Sequence, residues 1–398
     1  MSITEISPRT FEQSREVVDV IDVGRKFMAL TETSDIPQIS GELELDIEYV
    51  SFSNLVDKYY ETRNQDTEPY VCSKLTFTRG GEEIRDMDGY NMTQPIYDIH
   101  YDEKSGKPYF TVGVRVEKRD DETDSTVDYF RADSLDSKIW DQIEDPNLLR
   151  PKGQDPAIAW IGDEMVLSVV EVEQIPNIDP AQAKELRWKT VFYKGTTISN
   201  LERFAEGPPG MKDIRLVQLP DGKITVFTRP QDINNEDKGG RGQIGVVTID
   251  SIDQLKDSNI LQNAPLIDTR FQPGVEWGGV NQATALKDGR IGLLWHIGRF
   301  DPLDSISKEY ASLIGFYDPV TNKIEDSRVI ALADEFDGAA AKTPHLKKVA
   351  FGSAMGPTDN NGIVRAYFGI ADAESWHKDI KDPFDGLRVP DHHYPLAA

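Results

Sequence analysis

Only one cysteine, Cys72, occurs in 398 residues. A lone thiol excludes an intrachain disulfide framework and any zinc site built from cysteines. Positive charge is also short: 44 Lys and Arg against 69 Asp and Glu leave a formal net charge of −25. Binding to a nucleic-acid backbone needs a basic footprint and anionic membranes recruit Lys/Arg clusters, so neither is expected as a partner. No apolar run approaches the roughly 20 residues of a membrane helix. The N-terminal MSITEISPRTFEQSREVVDV has no basic stretch followed by an apolar one, so no signal peptide and a cytoplasmic location are expected. Gly-rich phosphate loops, G-x-S-x-G, H-E-x-x-H and paired histidines at metal spacing are all missing, and no metal is expected. The pair His392–His393 reads as an exposed tail.

Helical periodicity is sparse as well. A helix is expected over Ser53–Thr62 and another near Pro180–Arg187; elsewhere the chain alternates short apolar runs with Asp-Gly, Gly-Asp, Pro and Asn signals. KITVFT (223–228), RIGLLW (290–295), RAYFGI (365–370), MVLSVV (165–170) and YFTVGVRV (109–116) read as strands. Five segments share one layout of polar signature, strand, Gly/Asp turn and second strand. They start at Tyr90 (YNMTQ), Gln154 (QDPAIAW), Lys212 (KDIRLVQL), Val280 (VNQATAL) and Pro344 (PHLKKVAF). Many short strands in regular repeats predict an all-β fold, a five-bladed β-propeller over residues 86–398, with a large sandwich as the alternative. Residues 1–85 stand outside the repeat. ELELDIEYVSF and YVCSKLTFTR predict strands there, in a β-rich extension packed on the propeller.

The informative residues are those each repeat delivers at one phase: Asp88 and Asn91, Asp155, Lys212 and Asp213, Asn281 and Gln282, and His345. Ends of the following strands add Arg115, Glu117, Arg119, Glu171, Glu173, Arg229, His296 and Asp372. Five polar residues at one phase can line a central site, or they can close each blade by side-chain turns. Most tryptophans lie in strands as packing residues. Trp277, among glycines and a carboxylate, suits stacking on a sugar ring.

The blocks RVEKRDDETDSTVDYF (115–130), GQDPAIAWIGDEMVLSVVEV (153–172), KDIRLVQLPDGKITVFTRP (212–230), EWGGVNQATALKDGRIGLLWHIGRFD (276–301) and AYFGIADAES (366–375) carry a resemblance. From about residue 72 onward the chain resembles a family of five-bladed propellers once catalogued only as a domain of unknown function. That family includes mannosyltransferase/phosphorylases that make and degrade β-1,2-linked oligomannosides, and it is related to the β-mannoside phosphorylases. The resemblance implies that Asn91, Arg115 and Asp155 line a sugar subsite, and that Lys212 with Asp213, Arg229 and His296 lie near a phosphate or donor pocket. It makes Glu276, Trp277, Asn281 and Gln282 a substrate-facing loop. The related enzymes end a blade-two strand in Tyr-Asp-Gly, which supplies the acid; here VVEVEQ stands instead, with Glu171 and Glu173.

Inverting phosphorolysis needs one positioned carboxylic acid, a cationic clamp for phosphate, and groups that grip sugar hydroxyls. The expected roles are Asp88 as acid, Asp155 as orienter of the sugar, and Glu173 or Glu171 as the acid in reserve. Glu117, Asp213 and Asp372 join the substrate contacts, and Arg119, Lys212, Arg229 and His296 form the clamp, although Arg229 has a plain ion-pair reading too. The expected activity is a mannoside phosphorylase or mannosyltransferase. It would use a small sugar donor and an oligomannoside acceptor, with phosphate, mannose-1-phosphate or GDP-mannose as co-substrate and no further cofactor. A glycoside hydrolase and a non-catalytic glycan-binding propeller are the alternatives.

Overall fold

A computed structural model describes residues 51–63, 71–85, 88–98, 109–119, 122–175, 185–231, 241–272, 274–390 and 393. The strand expected in ELELDIEYVSF lies outside these residues up to position 50.

Helix α1 (Phe52–Arg63) opens the described chain. Its apolar residues Phe52, Leu55, Val56 and Tyr59 recur at helical spacing and join one core cluster with Phe227, Leu293 and Trp295. Ser51 accepts a hydrogen bond from Asn54 N at 3.2 Å, and Arg63 sits in the last turn, where a cation suits the carbonyl end. β1 (Cys72–Lys74), β2 (Thr76–Arg79) and β3 (Glu82–Glu83) follow.

Among the described residues the remaining strands form five antiparallel sets, of which the first, fourth and fifth are joined into one sheet by short parallel bridges. The first holds β4 (Asp88–Met92), β5 (Ile96–Asp98), β6 (Tyr109–Glu117), β7 (Thr126–Ala132) and β8 (Ile139–Gln142), with β2 added in parallel on β8. The second is β9 (Gln154–Ile161), β10 (Glu164–Ile175), β11 (Glu185–Gly195) and β12 (Glu202–Glu206). The third is β13 (Arg215–Gln218), β14 (Ile224–Thr228) and β15 (Gly245–Ile249). The fourth is β16 (Glu276–Ala285), β17 (Ile291–Asp301), β18 (Asp304–Asp318) and β19 (Lys323–Ala331). The fifth is β20 (Lys348–Thr358), β21 (Ile363–Ile370) and β22 (Glu374–Lys381), and β1 completes it. The helix expected near Pro180–Arg187 is not formed at its described end: Glu185–Arg187 open β11, paired with Glu173–Ile175.

Apolar layers lie between successive sets, because a strand sends alternate residues to opposite faces. In β10, Leu167 and Val169 pack toward Val127 and Tyr129 of the first set. Val166, of the opposite phase, packs toward Leu216 and Val226 of the third. β17 does the same, with Leu293 and Trp295 facing Phe227 and Leu294 facing Ala366 and Phe368. A last layer joins Ala354 and Tyr367 of the fifth set to Val112 and Val114 of the first. Each fully buried Leu, Val or Phe in these layers contributes about 1.5–3 kcal/mol. The leading strands touch in turn: β4 lies against β9, β9 against β13, β13 against β16, β16 against β20, and β20 against β4. No helix among the described residues is long and apolar enough to cross a membrane.

Candidate active site

Where the leading strands meet, their register breaks at one phase. Asn91 bulges from β4, Asp155 from β9, Asn281 from β16 and Ser353 from β20, each where the pairing with the next strand slips. Asp213, just ahead of β13, takes the same place in the third set. Bulges re-aim side chains, and three of these residues also adopt left-handed backbone: Asn91 (φ 54°), Asp155 (φ 50°) and Asp213 (φ 57°). Asn and Asp tolerate that region better than other residues with a β-carbon, which accounts for their choice. Gly369 is required nearby, since any β-carbon there would collide with Asn91 Oδ1.

Asn91, Asp155 and Asp213 converge with Arg115, Lys212, Arg229, His296 and Asp372 on a cavity of about 120 Å³, whereas Asn281 and Ser353 line a separate small void. Gln154, Lys308, Tyr310, Leu346, Val349 and Phe351 complete its wall. On one side Asp155 Oδ1 accepts from Asn91 Nδ2 at 2.7 Å and from Arg115 Nη1 at 3.3 Å. Arg115 is buried, stacks over the Tyr90 ring and pairs with Glu117 at 2.9 Å. Burial alone would depress its pKa, but Tyr90, Asp372, Asp155 and Glu117 together raise it, so the guanidinium stays charged. Glu117 itself collects Tyr90 Oη, Ser125 Oγ and Lys342 Nζ. Burial works to raise its pKa and is outweighed by Arg115, Lys342, Ser125 and Tyr90, which lower it.

On the other side Asp213 accepts from Arg229 Nη1 at 2.7 Å. Its burial would favour the neutral acid, but Lys212, Arg229 and Arg215 hold the carboxyl below its usual range. Arg229 Nε donates to Gly278 O at 2.7 Å. A β-carbon at Gly279 would stand 2.8 Å from Arg229 Cδ and 3.0 Å from His296 Cε1, which gives the EWGG block a packing reason. His296 is buried between the Tyr310 ring, stacked at 5.3 Å, and Phe351. Burial, Arg229 and Lys212 push its pKa well below the ordinary value, so the imidazole is neutral. Tyr310 Oη accepts from Trp277 Nε1 at 2.9 Å, leaving its own proton free to donate. Four cations, Arg115, Lys212, Arg229 and Lys308, thus face three carboxylates in the cavity of a chain with 25 excess negative charges. That balance suits an anion next to a polyhydroxylated ligand.

Several expected site residues stand elsewhere. Asp88 and Arg119 clasp each other at 2.6 and 2.9 Å outside the cavity wall, so neither the proposed acid nor that member of the clamp reaches it. Glu171 is bound by Arg203 at 2.8 Å, and Glu173 is exposed farther along β10, beyond its pairing with β9. Glu117 serves Arg115 rather than the cavity. Glu276 caps α1, accepting Phe52 N at 2.7 Å and Gln272 N at 2.8 Å. Trp277 is buried, its ring edge-on to Phe300 and Tyr310, so it offers no open platform and acts on the cavity through Tyr310. Asn281 bonds His296 and Gly352 O, while Gln282 ties Gln94 to Met355 below the floor. His345 is exposed beside Asp304 and Ser307, and the place expected of His345 is taken by Ser353. His393 stacks on Trp160 at 3.8 Å instead of standing free. Lys308, Tyr310 and Phe351 were not anticipated: Lys308 and Tyr310 come from β18, outside the repeated segments, and Phe351 closes the fifth segment, where an apolar strand residue carries no sign of a site. Among the described residues no group of three or more His, Cys, Asp or Glu is placed to hold a metal ion.

Residues 61–386 match the family model described as "Protein of unknown function (DUF1861)". The chain belongs to the DUF1861 family. None of the curated proteins matches this DUF1861 chain in sequence. Among solved structures it is similar to MPT-4, a mannose phosphorylase from Leishmania mexicana in complex with phosphate ion. The identity is 26%, over 87% of this chain and 100% of that one, with a TM-score of 0.69. It is also similar to MPT-1, a GDP-Man-dependent mannosyltransferase from Leishmania mexicana, at 26% identity, 82% and 94% coverage and a TM-score of 0.66. A hypothetical protein from Leishmania major matches at 26% identity, 85% and 100% coverage and a TM-score of 0.66. The family suspected from the sequence blocks is the one these structures represent.

Proposed function

We propose that this DUF1861 protein is an inverting mannoside phosphorylase acting on β-1,2-linked oligomannosides, built on a five-bladed β-propeller whose blades are the five strand sets. The propeller reading is supported by the cyclic contacts of the leading strands. The reaction is supported above all by one observation: a single cavity pairs a cationic wall (Lys212, Arg229, Lys308) with an Asp155–Asn91–Arg115 constellation. Phosphate fits the cationic wall, where Tyr310 can donate and Lys212, Lys308 and the Arg229 guanidinium supply positive charge. Asp155 takes the acid role in place of Asp88. Both of its neighbours bind Oδ1, which leaves Oδ2 toward the ligand. In the step, a phosphate oxygen forms a bond to the anomeric carbon as the bond to the leaving sugar oxygen breaks. The Asp155 proton passes to that oxygen, directly or through a sugar hydroxyl, and mannose-1-phosphate and a shortened acceptor result.

The test is to incubate the protein with β-1,2-mannobiose and phosphate, and in reverse with mannose-1-phosphate and mannose. Phosphate-dependent release of mannose-1-phosphate is expected. Turnover only with GDP-mannose would make it a transferase, and free mannose without phosphate a hydrolase. Saturable oligosaccharide binding without product would make it a lectin.

A further inference from the structure

Arg215, the first residue of β13, lies under the floor of the cavity with its side chain 4% exposed. Its guanidinium reaches three sets at once. Nε donates to Asn281 O at 2.9 Å, and Nη2 donates to Asp155 O at 3.3 Å. Nη1 donates to Ile214 O at 3.3 Å and Ser168 Oγ at 3.5 Å, and Nη2 stands 3.6 Å from Asp213 Oδ1. Both distal carbonyls belong to bulged residues, which have lost a ladder partner and need a donor from elsewhere. At Asp155 the backbone is also left-handed, a conformation that persists only where the surroundings hold it. Beyond Arg215 lies a void of about 10 Å³, too small to supply replacement donors readily, since one water needs about that volume to itself.

We propose that Arg215 is a positioning residue for the proton donor: by holding the Asp155 and Asn281 carbonyls it fixes the bulge that aims the Asp155 carboxyl. This rests on the phosphorylase reading above. A lysine in its place keeps the charge but cannot reach both carbonyls with a rigid fork. A misplacement of about 1 Å at a reacting group costs on the order of 10²-fold in rate.

The experiment compares wild type, Arg215→Lys and Arg215→Gln on two substrates at saturating phosphate. β-1,2-Mannobiose has a leaving group that must be protonated; 2,4-dinitrophenyl β-mannoside has one that leaves as an anion. For Arg215→Lys, kcat on mannobiose should fall about 10²-fold, while the aryl substrate loses less than about fivefold because it needs no acid. The phosphate KM should stay within about threefold, since lysine keeps a positive charge beside Asp213, the partner of Arg229. Arg215→Gln, which keeps one donor for Asn281 O, should show the same split if the lysine variant does not fold. Equal loss on both substrates, or no loss on either, overturns the positioning role. A wild type inactive on both substrates removes the phosphorylase reading itself, a different outcome from either.

Discussion

His296 Nδ1 lies 2.7 Å from Asn281 Oδ1. The Asn281 amide is oriented by its own donation to Gly352 O, so its oxygen must accept and the imidazole proton sits on Nδ1. Nε2 is then a buried acceptor without a partner among the described residues. This arrangement makes His296 costly to charge. An unfolded chain takes up a proton on this histidine below about pH 6.5, while the folded protein, with its lowered pKa, does not. The stability tied to His296 is therefore complete above pH 6.5 and declines as pH falls, by at most about 1.4 kcal/mol per pH unit. Thermal melts of wild type and His296→Asn between pH 7.5 and 5.5 check this: the variant should show the shallower decline.

The acid can be assigned by a pair of isosteric changes. Asp155→Asn should lower kcat by about 10²–10⁴-fold on mannobiose with the fold retained. Asp88→Asn, which only loosens the surface clasp with Arg119, should leave steady-state kinetics within about twofold. The reverse pattern would return the acid role to Asp88.

Lys212 and Arg229 should separate binding from stability. Lys212 makes no salt bridge among the described residues, so Lys212→Ala should raise the phosphate KM about tenfold or more, consistent with about 1.5–3 kcal/mol for a charged hydrogen bond, and lower the melting temperature far less than Arg229→Ala does. Arg229→Ala instead strands Asp213, 1% exposed, without its main partner. A loss of about 3–5 kcal/mol in denaturant unfolding is expected, and Arg229→Met with Asp213→Asn should recover part of it.

Glu276 ties α1 to the chain 224 residues later. Glu276→Ala leaves the Phe52 and Gln272 amides without their acceptor and should cost about 1–3 kcal/mol. Limited proteolysis should then cut within 52–63 sooner than in wild type. An unchanged cutting rate would show that the Phe52 and Leu55 packing holds the helix alone.

Much of this architecture was legible because strand alternation and turn chemistry are local. KITVFT, RIGLLW and RAYFGI became β14, β17 and β21, and four of the five repeat starts found the phase of the bulges. The fifth failed because the residues before β20 form a turn of 3-10 helix at Pro344–Leu346, which shifts the signature from His345 to Ser353. Side-chain commitments were the harder part. Glu276, Glu117 and Asp213 are all carboxylates beside strands, yet one caps a helix, one steadies an arginine and one faces the cavity. Contacts between residues far apart in sequence do much to separate those roles, as with Glu276 and Phe52, Glu117 and Lys342, and Trp277 and Tyr310.

The pairing of β1 with β22 places Cys72 opposite Lys378, and Lys74 bonds Glu374 across 300 residues. Among the earliest described residues to leave the ribosome, β1 must therefore wait for almost the whole chain before it finds its neighbour. Such long-range closure slows folding, and until it happens β1 and β22 are unpaired edges open to other chains. A nascent chain released before residue 374 would be exposed to aggregation even though its first four sets had formed.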